Sequence, residues 1–137
     1  MHATTHVDRP VVPPPPLAEY AIEGALLGLF MISACVCTVL VEHPASRLRT
    51  VLDDAVLRRA LVGAAMGLTA IVLIYSTWGR RSGAHFNPAV TLTFHRLGKI
   101  PPRDALDYVG AQPAGGIAGG QLAALVLGTP GAHPPVA

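Results

Sequence analysis

Three stretches of the chain carry no charged side chain: Gly24 to Val41, Ala60 to Gly79, and Tyr108 to the C-terminus. Each approaches or exceeds the roughly 20 mostly apolar residues that a membrane-spanning helix needs. The pattern predicts three spanning helices, over residues 18–41, 60–78 and about 104–128. Glu19 and Tyr20 mark the aqueous end of the first, and Tyr75 and Trp78 fit an interfacial aromatic belt at the end of the second. Between the first two spans, residues 42–59 form a polar connector with Arg47, Arg49, Asp53, Asp54, Arg58 and Arg59, read as a solvated loop.

A fourth, shorter element interrupts this pattern. In Ser82-Gly83-Ala84-His85-Phe86-Asn87-Pro88-Ala89-Val90-Thr91, Asn87 is a strong N-cap residue, because its side-chain oxygen accepts an orphan backbone N–H. Pro88 fits the first helical position, where its missing N–H is no loss. The helix it opens, over 88–97, is about 15 Å long at 1.5 Å per residue, half a bilayer. Val90, Leu92, Phe94 and Leu97 make it apolar enough to enter a membrane as a re-entrant half-helix. Such an element is tolerated where protein buries it or water lines it. Ser82 to Phe86 would lead down to it as extended backbone, with the Gly83 and Ala84 carbonyls along a polar path. Asn87 would cap with its oxygen and offer its amide N–H groups to a solute. A donor beside a positive helix end favours neutral hydrogen-bonding solutes over cations and protons. An ordinary loop and surface helix would carry the same spacing.

Composition agrees with a membrane protein. Charged residues make up 13% and apolar ones 51%, against about 25% and about 45–50% in soluble domains. A soluble helical core protein is the competing class. The net charge of +2 is too small to point to nucleic acid. No basic start, short apolar region and cleavage site open the chain, so no removable signal peptide is expected. Residues 1–17 hold Pro13 to Pro16 and read as an extended, disordered tail, and 129–137 as a second short tail. With the N-terminus cytoplasmic, Arg9, Arg80, Arg81, Arg96, Lys99 and Arg103 lie inside and Arg47, Arg49, Arg58 and Arg59 outside, a shallow six-to-four bias. Cys35 and Cys37 read as packing residues. His43, His85, His95 and His133 are scattered, with no metal-ligand spacing and no nucleophile–base set, so neither a cofactor, a metal nor an enzyme is expected. Gly24/Gly28, Gly63/Gly67, Gly115/Gly119 and Gly116/Gly120 are small-xxx-small pairs that let helices approach closely, and suggest a compact bundle.

The ten residues from Ser82 to Thr91 resemble the signature of the major intrinsic proteins, the aquaporins and glycerol facilitators. Glu23 resembles that family's buried first-helix glutamate, and Ala111-Gln112 followed by Gly115-Gly116 its third-helix pattern. The resemblance covers residues 18–128. It implies an all-α membrane fold of inverted halves, of which the first is present: three transmembrane helices and one half-helix carrying Asn-Pro-Ala. A second Asn-Pro-Ala, and the arginine that the family places after it, do not occur in the chain; Pro113 stands where an apolar residue is usual. By resemblance, Asn87, Pro88, Ala89, Gly83, Ala84 and His85 line a pore, with His85 near the cytoplasmic mouth or packed as a satisfied core histidine. Glu23 accepts hydrogen bonds from the re-entrant backbone, and Gln112 is a second buried polar group. Met66 is a possible filter residue, with one more residue than usual between it and Asn87. The implied function is passive passage of water or small neutral solutes such as glycerol across the plasma membrane. The implied partners are the lipid bilayer and a complementary second half or copies of itself, with the family tetramer expected. The alternative is a truncated or fragmentary, non-conducting membrane protein or interaction subunit.

Overall fold

In a computed structural model, residues 17–128 are described, and all their regular structure is helical. The two tails expected at 1–17 and 129–137 lie, apart from Leu17, outside the described residues. Six helices follow in order: α1 (Leu17–Glu42), α2 (Arg47–Val51), α3 (Ala55–Tyr75), α4 (Thr77–Ser82), α5 (Pro88–Arg96) and α6 (Pro102–Leu127).

Each boundary has a local cause. α1 stops before His43-Pro44, because the residue preceding a proline is pushed out of helical backbone. Ser46 caps α2 by accepting from the Leu48 amide at 3.2 Å. Asp54 caps α3 by accepting from Val56 and Leu57 at 2.7 and 3.1 Å. The segment 42–59 is therefore not a plain solvated loop. It contains α2 and the first turn of α3, and Arg58 within it is buried. Arg58 binds Glu42 Oε2 through Nε at 3.1 Å and the Leu52 and Asp53 carbonyls through Nη1 at 2.7 and 2.9 Å. A guanidinium with three donors engaged in this way pins the connector to the end of α1.

The helix expected over 60–78 starts five residues earlier and breaks at Ser76. The Ser76 hydroxyl donates to the Leu73 carbonyl at 2.7 Å and accepts from the Gly79 amide at 2.9 Å, so one side chain closes α3 and opens α4. The fold-back presses Gly79 onto the end of α3. A Cβ there would stand 2.1 Å from the Leu73 carbonyl oxygen, so only glycine fits.

α1 and α6 share the most extensive contact in the molecule. Gly24 and Gly28 lie against Ala111, Gly115 and Gly119. A Cβ on Gly115 would fall 1.9 Å from the Gly24 carbonyl oxygen, and one on Gly119 would fall 2.3 Å from that of Gly28. The backbones touch because no side chain separates them. The same four-residue spacing at Gly63 and Gly67 has nothing within 4 Å, so α3 does not use its small face against any described residue. α1 and α3 are long and apolar enough to cross a membrane. α6 equals α1 in length, but its glycines, Pro113 and the charged residues Arg103, Asp104 and Asp107 make it less apolar.

Candidate functional site: a buried carboxylate under a capped short helix

Glu23 is on the buried face of α1 and is fully inaccessible. Its Oε1 accepts from the Ser82 hydroxyl at 2.7 Å and the His85 amide at 3.1 Å. Its Oε2 accepts from the Phe86 amide at 2.5 Å and Gln112 Nε2 at 3.0 Å. A carboxylate offers about four lone-pair directions, and four donors meet them. A buried carboxylate without partners would be strongly unfavourable. Here it gathers α1, α4, the loop 83–87 and α6 around one group.

Gln112 extends the network. Its Nε2 also donates to Thr91 Oγ1 at 3.0 Å, which ties α6 to α5. Gln112 and Thr91 are both fully buried. Tyr108, one helical turn before Gln112, donates its hydroxyl to the Ser82 carbonyl at 3.3 Å. The His85 ring stacks on Phe94 at 4.9 Å and meets Tyr108 edge-on at 5.3 Å, with Nδ1 3.4 Å from Thr91 Oγ1. Tyr20 packs edge-on against Tyr108 at 4.8 Å and donates to Asp104 Oδ1 at 3.2 Å, closing the buried polar layer toward the ends of α1 and α6.

The loop between α4 and α5 is not extended backbone. Gly83 (φ 97°), Ala84 (φ 51°) and Phe86 (φ 20°) all have positive φ. Such backbone is unfavourable for non-glycine residues and persists only where surrounding contacts hold it. The two amide bonds to Glu23 are those contacts.

The loop delivers the chain to Asn87. Its Oδ1 accepts from the Ala89 amide at 2.9 Å, and Pro88 takes the first helical position of α5. The Asn87 side-chain nitrogen makes no hydrogen bond among the described residues, and the residue is exposed. Ala89 is exposed beside it, and Pro88 is half-buried. Gly83 is exposed and Ala84 half-buried, while His85 lies in the buried layer. Met66 is half-buried on α3 and takes no part in the network around Glu23. Ser82 and Thr91 are site residues to which the motif that contains them assigns no role, and Tyr108 is one that the motif does not reach. Helical spacing held the signal for two of them: Thr91 lies four residues after Asn87, and Tyr108 four before Gln112. Among the described residues, no three His, Cys, Asp or Glu side chains gather as a metal site.

Among the described residues all regular structure is helical, two helices are long and apolar enough to cross a membrane, and a short capped helix hangs from a buried carboxylate, an arrangement that fits the polytopic helical membrane class. More particularly, the chain belongs to the major intrinsic protein family, whose profile matches residues 18–133. That family is one of channels, not of enzymes. The chain is similar to aquaglyceroporin AqpS of Rhizobium meliloti (strain 1021), 47% identical over 79 residues that cover 57% of this chain and 33% of the relative. It is similar to aquaporin NIP6-1 of Arabidopsis thaliana, 36% identical over 103 residues, 74% of this chain and 31% of the relative. Aquaporin NIP1-2 of the same plant is 48% identical over 61 residues, 44% and 19% of the two chains. The matched region thus spans a third or less of these relatives' length. No solved structure matches significantly.

Proposed function

We propose that the chain forms the first half of an aquaporin-like channel for passive passage of water or small neutral solutes such as glycerol. In this reading α1, α3 and α6 span the plasma membrane with the N-terminus cytoplasmic, and α5 is a re-entrant half-helix. Asn87, Pro88, Ala89, Gly83, Ala84 and His85 line the pore, and Met66 stands at a filter. A complementary half or further copies complete the pore, in a tetrameric assembly.

One observation carries the reading. Asn87 commits its oxygen to the cap and keeps its N–H₂ exposed at the start of α5. The helix end there is equivalent to about half a positive charge. A free donor pair beside that charge would bind the oxygen of a neutral solute and oppose a cation. The names of the relatives, aquaporins and an aquaglyceroporin, support the same solute range.

The test is stopped-flow water and glycerol flux in proteoliposomes, with a complementary second half supplied beside the chain. Asn87→Ala is expected to reduce flux severely while membrane insertion stays normal, since loss of the cap alone costs about 1 kcal/mol. Flux unchanged at equal protein density would remove Asn87 from the pore. Normal insertion with no flux from the unsubstituted protein would favour a non-conducting membrane subunit.

A further inference from the structure

The chain turns from α5 into α6 through residues 97–101, and this elbow is held in one shape. The Lys99 amide donates to the Phe94 carbonyl at 3.0 Å and the Gly98 amide to the His95 carbonyl at 2.9 Å, with Gly98 at φ 70°. These are the two bonds that close a helix on a left-handed glycine. His95 Nδ1 lies 2.9 Å from the Ile100 carbonyl, which ties the far side of the turn back to α5. The Tyr20 hydroxyl binds Asp104, so the elbow stands at the end of the bundle where α1 begins.

Arg96, Lys99 and Arg103 stand on this elbow, and all are exposed. Arg96 and Arg103 make no ion pair among the described residues, and the Lys99 ammonium only stands 6.0 Å from the centroid of the Phe94 ring. The nearby acids do not neutralise them. Asp104 is buried and accepts from Tyr20, and Glu19 faces Arg81 at 3.9 Å. Asp107 is exposed, one turn beyond Arg103, and within ion-pair distance of no cation among the described residues. The connector at the other end of the bundle uses its cations differently. There Arg58 binds Glu42 and the Leu52 and Asp53 carbonyls, and Arg49 binds the Glu42 carbonyl. A count of charges makes the two ends look alike, whereas at the elbow the cations are left to meet something outside the chain.

Apolar side chains flank these cations. Leu97, next to Arg96, is 64% exposed, and Leu106, one turn after Arg103, is 73% exposed. A ligand that fits this surface brings an anion to the guanidinium and ammonium groups and hydrocarbon to the leucines. A phospholipid with a net negative headgroup does both, since long basic side chains at the end of a spanning helix reach to headgroup level. An acidic peptide or a nucleic acid would leave the leucines in water. We propose that the α5–α6 elbow is a binding surface for anionic phospholipid, with Arg96, Lys99 and Arg103 around the phosphate and Leu97 and Leu106 along the acyl chains. The proposal uses the membrane setting of the chain and no property of conduction.

Trp78 is the only tryptophan in the chain, so a single fluorescent reporter can be moved. Trp78→Phe with Leu106→Trp places it beside the elbow, in the full chain reconstituted in phosphatidylcholine vesicles. Quenching by dibrominated phosphatidylglycerol is compared with quenching by dibrominated phosphatidylcholine at equal mole fraction. The anionic lipid should bind about five-fold more tightly, the gain expected of a single basic side chain close to an anionic lipid surface. Arg96→Gln/Lys99→Gln/Arg103→Gln should bring the ratio close to one, and Arg47→Gln/Arg59→Gln at the opposite end should leave it unchanged. Salt gives a second readout that needs no loss of cations: raising ionic strength should compress the ratio, because exposed charges are screened within about 10 Å at 0.1 M salt. Glycerol phosphate in the aqueous phase should not displace the lipid, since it brings the anion without the chains. Equal binding of the two lipids, a preference that survives the triple neutralisation or high salt, or displacement by glycerol phosphate overturns the assignment. Water flux through the same vesicles reports on the channel reading alone, so the two fail separately.

Discussion

Glu23 and Gln112 lie 89 residues apart in sequence and 3.0 Å apart in space, carboxylate oxygen to amide nitrogen. Gln112 spends its second donor contact on Thr91, so the bond joins α1 to α6 and, through α6, to α5. Removing the carboxylate would strand four donors at once. Leaving a buried polar group unsatisfied costs about 1–3 kcal/mol.

Glu23→Leu is therefore expected to reduce folded yield sharply and to release the loop 83–87. Glu23→Gln keeps one acceptor oxygen and should do so less. A cysteine placed at Ala84, with Cys35 and Cys37 replaced, should label faster with a polar thiol reagent in Glu23→Leu than in its absence. Equal labelling rates would show that the loop does not depend on Glu23.

The α1–α6 contact makes a sharper prediction. A methyl group on Gly115 meets the Gly24 carbonyl, which is backbone and has no rotamer to give. Gly115→Ala should force the helices apart and lower stability by about 1–3 kcal/mol, the usual range for overpacking. Gly120→Ala, five residues along the same helix, meets nothing within 4 Å and should be close to neutral. Detergent unfolding curves of the two variants decide it: matching curves would mean that α1 and α6 do not pack through these glycines.

This pair also shows what sequence can and cannot convey. Four-residue glycine spacing occurs on α1, α3 and α6 alike, but spacing records only that a helix can be approached closely. At Gly24 and Gly115 a partner arrives; at Gly63 none does among the described residues. The start of α5 was legible because capping is local chemistry, settled by Asn87 and Pro88 themselves. The break at Ser76 was not. Thr77 and Trp78 continue an uncharged run, and the break depends on Gly79 meeting carbonyls of the previous turn, a contact no periodicity contains. Arg58 was hidden for the opposite reason. Among so many charges a solvated loop was the plainer reading, and its burial follows from three carbonyl and carboxylate acceptors that only folding assembles. Ser82, Thr91 and Tyr108 carry no distinctive chemistry alone, and become part of the site through Glu23, Gln112 and the loop.

Asp54 supplies a pH prediction. Amide hydrogen bonds from Leu57 and Val56 hold its carboxyl below the ordinary aspartate value. A depressed folded-state value means that the carboxylate stabilises the start of α3 at pH above the unfolded value, about 3.9. That contribution is lost as pH falls through the lower, folded value. The protection of the Val56 and Leu57 amides, taken relative to their intrinsic exchange rates at each pH, should fall on acidification through this window. Asp54→Asn retains a capping oxygen without a titrating group, so its exchange should lose that acid-dependent opening step. The same acid step in the asparagine variant would place its origin elsewhere.

Because Ser76 ends one helix and begins the next, α3 is jointed to the loop-bearing segment rather than continuous with it. One residue inserted into an unbroken helix would rotate everything beyond it by about 100°, given 3.6 residues per turn. Here the rotation would be confined to α3, because Ser82 and the loop are held by Glu23 from another helix. Insertions and deletions in α3 can then change which of its side chains faces α1 without disturbing the loop. The joint separates two traits that a single rod would force to evolve together.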